Sequence, residues 1–226
     1  MKRTLEEVEE LEDLPTEEID EDDGEDIILA GSANWQPNLF VFYGPDSRSI
    51  LLTGEINEEL SGAICSQIQE LSSISDVEPI HLYINTGGGN LIDAFAIYDC
   101  LRSVPNPIVT IVNGGCYSAG TLILMAGDVR VAMPNSSFFY HEPIVNLIDV
   151  DSPQKFESMY AFYKWCRDRM DKIVRKRTGL SKKKWNKKFS NTTSYYFDSK
   201  EATKNGFIDA IMEFPVKPEI KLEMSE

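Results

Sequence analysis

Long apolar runs are missing from this 226-residue chain, and none approaches the roughly 18 consecutive apolar residues a bilayer span requires. The amino terminus also lacks the basic-then-apolar pattern of a secretory signal. Cysteine is sparse, and Cys65, Cys100, Cys116 and Cys166 follow no CxxC or other ligand spacing. No metal site and no cofactor are therefore expected, and the thiols read as reduced, in the cytoplasm. Positive charge is short as well: 22 Lys and Arg against 37 Asp and Glu give a net −15, which argues against a nucleic-acid or anionic-membrane partner. Histidine occurs only as His81 and His141, so any histidine-dependent chemistry has two candidates.

The charge that is present is uneven. Residues 1–26 hold fourteen acidic side chains beside Lys2 and Arg3, a net −12, which leaves −3 for residues 27–226. The first 26 residues read as an acidic, disordered extension, although Leu5, Val8, Leu11 and Leu14 recur at a spacing that would line one face of a short helix. Residues 27–215 read as one domain large enough to bury a true core, and 216–226 as a tail.

Short apolar runs alternate with amphipathic stretches through that domain. Leu39–Tyr43, Ile50–Thr53, His81–Asn85, Ile108–Val112, Val129–Ala132 and Phe138–Tyr140 read as strands. Asn57 and Asn90 are placed to cap helices, the second carrying Leu91, Ala94, Phe95, Tyr98 and Leu101 on one side. Ala119–Ala126 contains no charge and should be a helix buried all round. Ser152-Pro153 opens a long helix that Arg175-Lys176-Arg177 and Gly179 close, and Phe156, Tyr160, Tyr163 and Met170 give it a stripe wider than one neighbour needs. Strand and helix in this order predict an α/β fold with mostly parallel crossovers.

Three places can carry chemistry. Ser118 stands where a buried strand turns through Gly114-Gly115 into a buried helix, a setting in which free amides favour an oxyanion beside Oγ. A serine there can equally serve as a helix cap, and Cys116 occupies the position where the α/β-hydrolase elbow needs glycine. His141 leaves a strand at a turn, where catalytic groups are often mounted, whereas His81 reads as a locally satisfied strand-end residue. Gly87-Gly88-Gly89 lacks the Gly-Lys-Ser/Thr ending of a phosphate loop and offers backbone amides instead.

Taken together, Tyr83-Ile84-Asn85-Thr86-Gly87-Gly88-Gly89, Gly114-Gly115-Cys116-Tyr117-Ser118-Ala119-Gly120 and Pro134-Asn135-Ser136 with His141-Glu142-Pro143 resemble the Clp proteolytic-subunit family of serine peptidases, in order and in spacing. The resemblance runs from about Arg48 to Met212. It implies a Clp/crotonase-like fold of repeated β-β-α units with a protruding long helix. It further implies Ser118 as nucleophile, His141 as general base, and the amides of Gly88 and Ala119 as the oxyanion hole. Gly89 and the stretch Ile144, Val145, Asn146 correspond to two edges between which an extended peptide lies. The family's subunits form stacked rings of seven, from identical or mixed chains. Polypeptides reach their chamber from an AAA+ unfoldase ATPase, and the long helix makes the contact between rings.

Two departures stand out. The family has proline at the position of Gly87, and its third triad residue, an aspartate, falls at Ser194. Asn191 and Asp198 are the neighbouring candidates for that role. Two other functions are compatible with the residues: a catalytically weak structural subunit that partners an active paralogue, and a crotonase-like acyl-CoA enzyme. The acidic extension matches nothing in the family and is left open among a removed pro-segment, a pore element and a docking tag.

Overall fold

The computed structural model describes residues 48–144, 151–190 and 194–214. The acidic extension, the strand expected at Leu39–Tyr43, the domain boundaries at 26 and 215, and the candidates Val145, Asn146 and Asn191 lie outside those residues.

Among the described residues, seven strands form one sheet, β1 (Ser49–Ile56), β2 (Ile80–Gly89), β3 (Ile108–Tyr117), β4 (Val129–Ala132), β5 (Ser137–Tyr140), β6 (Tyr195–Asp198) and β7 (Ala210–Ile211). The path runs β1-β2-β3-β4-β7, with β5 added to β3 and β6 to β5. Every pair is parallel except β5 with β6. Helices α1 (Glu58–Ile74), α2 (Leu91–Ser103), α3 (Ala119–Leu124), α4 (Pro153–Thr178), α5 (Lys182–Trp185) and α6 (Ser199–Lys204) supply the connections, with a π-helical turn at Asn186–Ser190.

The caps are where side-chain chemistry requires them. Asn57 accepts from the Leu60 amide, Asn90 from Ile92 and Asp93, and Ser152 from Lys155. Gly179 ends α4 at φ +67° in the left-handed region. Ile64 and Ile68 of α1, Ala94, Ile97 and Leu101 of α2 and all six residues of α3 are buried against the apolar strands. Each such Leu or Ile removed from water contributes about 1.5–3 kcal/mol. Arg130 ties the far end of the sheet together: its guanidinium donates to Asp209 Oδ1 at 2.7 Å and to the carbonyls of Gly206 and Arg177 at 2.9 and 3.1 Å.

A change of partner along β3 builds the site. Val109–Val112 pairs with β4, whereas Gly115–Tyr117 pairs with β5. The strands do not end at the glycines as expected: β2 and β3 run on through them after a shift of register, with Thr86 opposite Cys116, and Glu55 and Ile56 opposite Gly88 and Gly89.

Candidate active site

Ser118 follows β3 at φ +52°, ψ −123°, the only non-glycine residue with positive φ among the described residues. A backbone held there is strained by about 1–3 kcal/mol. Its amide donates to the Phe139 carbonyl at 2.7 Å, which pins the turn to β5. Its side chain caps no helix, since Oγ lies 2.7 Å from His141 Nε2. That separates the two roles open to this serine: the hydroxyl is directed at an imidazole.

His141 arrives there because β5 lies beside β3. Tyr117 pairs with Phe139, so a chain leaving β5 two residues later passes the mouth of α3. The imidazole stacks on Phe139 with centroids 4.9 Å apart and planes at 21°. The Tyr140 hydroxyl, immediately before it, donates to Asp171 Oδ1 on α4 at 2.5 Å and anchors the end of β5. Burial pushes that Asp171 carboxyl above its ordinary value, against the Tyr140 hydrogen bond. His81 is remote from this site, opposite Ser49 and Val109, and burial holds its pKa down. Its Nδ1 is buried without a partner, so it is not the locally satisfied residue expected.

The glycine loop lies against the serine. A Cβ on Gly88, whose φ is +95°, would stand 2.7 Å from Ser118 Cβ and 3.2 Å from the Ala119 amide nitrogen. A Cβ on Gly89 would run into the Ile56 backbone. The Gly88 amide is engaged, donating to Thr86 Oγ1 at 3.0 Å, while the Thr86 hydroxyl donates to the Gly54 carbonyl at 2.5 Å. The Ala119 amide opens α3, where it has no intrahelical acceptor.

Strand register separates two of the candidates for the third position. Tyr140 faces Tyr195 across the antiparallel pair, so one further step on each strand sets His141 against Ser194. Asp198 is at the other end, opposite Ser137, and its Oδ1 accepts from the Glu201 amide at 2.8 Å as the cap of α6. The structure thus does not bring Asp198 to the imidazole.

Ser118 and His141 open into a cavity of about 490 Å³ walled by Gly89, Leu91, Ile144, Met159, Phe162 and Met170, with Tyr163 and Cys166 as its other ionisable groups. Its lining is mainly apolar. The Tyr163 hydroxyl donates to Glu142 Oε2 at 3.3 Å, and burial together with that carboxylate pushes the phenol up. Among the described residues, no three His, Cys, Asp or Glu converge as metal ligands. Sequence reasoning missed Thr86, Phe139 and Asp171. The pairing of Thr86 with Gly88 two residues on was the only one with a local signal.

A serine on a strained strand-to-helix turn, bonded to a histidine beside an apolar cavity and a glycine loop, defines a serine hydrolase mounted on an α/β sheet. The profile of the family described as Clp protease matches residues 44–215. "ATP-dependent Clp protease proteolytic subunit 2" of Treponema denticola is 33% identical over 168 residues, covering 74% of this chain and 82% of the relative. Its counterpart in Treponema pallidum is 30% identical over 170 residues, covering 74% and 83%. "ATP-dependent Clp protease proteolytic subunit" of Streptococcus uberis is 30% identical over 168 residues, covering 74% and 85%. The chain belongs to the Clp protease family and is a serine-type peptidase subunit. The acyl-CoA alternative is set aside by that membership.

Proposed function

We propose that Ser118 and His141 cleave peptide bonds as nucleophile and general base; the 2.7 Å separation of Oγ and Nε2 carries this assignment. Nε2 accepts the hydroxyl proton as Oγ adds to the scissile carbonyl, so the neutral ring carries its hydrogen on Nδ1. The tetrahedral oxyanion takes a hydrogen bond from the Ala119 amide, and from Gly88 once that amide shares its proton between Thr86 Oγ1 and the oxyanion. The imidazolium then protonates the leaving amine and the C–N bond breaks. Water attacks the acyl-serine with the same histidine as base, releasing the acid and restoring the hydroxyl.

Gly89 at the end of β2 and Ile144 after His141 border the cavity on two sides, which supports an extended peptide bound through its main chain, with an apolar side chain in the cavity. On this reading the chain works in stacked rings of seven, in the cytoplasm, fed with unfolded polypeptide by an AAA+ ATPase. Exposed Phe156, Tyr160, Phe162 and Trp165 on α4 support the subunit contact, because single domains seldom leave so many large rings in water along one helix. Among the described residues no helix is long and apolar enough to cross a membrane. A fluorophosphonate probe tests the assignment: Ser118 is labelled in the assembled particle, and Ser118→Ala abolishes both labelling and peptide cleavage. A different role, a structural subunit beside an active paralogue, is favoured by Ser194 at the carboxylate position, and it predicts no labelling and unchanged function in Ser118→Ala.

A further inference from the structure

We propose that Phe139 is a positioning residue for His141, its ring face holding the imidazole in plane and favouring the protonated form that a carboxylate would otherwise stabilise. This rests on the assignment of His141 as general base. His141 directly follows β5, two residues after Phe139, and the rings stack at 4.9 Å and 21°. Tyr196 is the register partner of Phe139 and stacks on it at 4.1 Å and 21°. Tyr117 closes edge-on against both rings at 6.2 Å, and its hydroxyl is itself bonded to Ser137 Oγ. Phe139 is therefore clamped, and its orientation is passed to the imidazole. Nε2 is then directed at Ser118 Oγ, with a serine, Ser194, at the residue just before β6.

The same stack acts on charge. When Nε2 takes the serine proton, the imidazolium lies within 6 Å of an aromatic face whose quadrupole attracts cations. Other described groups also stand around the ring, among them Ser194 one step beyond the Tyr140–Tyr195 pair. Ser118 faces it from the mouth of α3, Pro143 and Ile144 follow it, and Tyr163 and Cys166 face the cavity from α4. The Glu142 carboxylate is engaged by the Tyr163 hydroxyl.

The test uses the full assembled chain, a fluorogenic peptide and a fluorophosphonate. Phe139→Leu is expected to lower kcat about tenfold with KM within twofold. The acid limb of the kcat/KM profile should move to lower pH by about half a unit, since loss of the ring face disfavours the protonated imidazole. Phe139→Tyr recovers most of the rate. In a Ser194→Asp background the Phe139→Leu loss shrinks, because a carboxylate takes over the task. Should Phe139→Leu fail to fold, Tyr196→Leu removes the outer support alone and is expected to shift the limb in the same direction. Labelling of wild-type Ser118 tests the underlying assignment separately. With that labelling intact, an unmoved acid limb in both Phe139→Leu and Tyr196→Leu overturns the role of the stack.

Discussion

Gly88 and Ser118 approach so closely that a methyl group on the glycine would stand 2.7 Å from the serine Cβ. Gly88→Ala therefore displaces the nucleophile, and its φ of +95° disfavours alanine whatever the space. Peptide cleavage should fall on the order of 10²-fold or more, the usual cost of losing a preorganised oxyanion donor. The matched measurement is thermal melting. A loss of folding large enough to explain the rate would remove the catalytic interpretation.

Ser194→Asp should accelerate hydrolysis. The register of β5 and β6 sets this position opposite His141, where a carboxylate would bind Nδ1–H and stabilise the imidazolium. Removing that group in the chymotrypsin-type example costs up to about 10⁴ in rate, so a gain of at least about tenfold is expected in kcat. Stopped-flow acylation by an activated ester measures it directly. An unchanged acylation rate would show that the ring is already fully stabilised.

Thr86 ties the end of β2 to β1 with one hydroxyl, accepting from Gly88 and donating to the Gly54 carbonyl. Thr86→Val keeps the shape and removes both bonds, which should destabilise the fold by about 1–3 kcal/mol and slow acylation. Thr86→Ser retains the hydroxyl and should hold the rate near that of the parent. Denaturant melts beside single-turnover rates separate the two effects.

Stability should also fall on the acid side through Glu201. Hydrogen bonds from Lys188 and Tyr195 hold this carboxyl below its ordinary value of 4.5. Its contribution is therefore complete above the ordinary value and is lost as pH falls through the lowered folded-state value. Glu201→Gln should flatten this part of the curve of melting temperature against pH, with little change near neutrality.

Much of the fold was legible because caps and turns are local chemistry. Ser152-Pro153 and Gly179 bounded α4, and Asn57 and Asn90 opened α1 and α2, at the residues expected. The ends of β2 and β3 were not legible. Glycine usually ends a strand, but here β2 runs on through Gly89 and β3 through Tyr117, and at Gly88 and Gly89 the neighbouring backbone passes too close for a side chain. The serine and histidine that the fold brings together could be picked out, while the third position stayed open among Ser194, Asn191 and Asp198. The stack on His141 could not, because it depends on the register of β5 against β6, a contact 57 residues apart in the chain at Phe139 and Tyr196.

The positive φ of Ser118 sets folding and hydrolysis against each other at a single position. A glycine there would relieve the backbone and remove the hydroxyl in one substitution. Copies of this subunit freed from the need to cut should drift toward sturdier, inert variants at that residue, and a lineage that keeps serine does so against the preference of its own main chain.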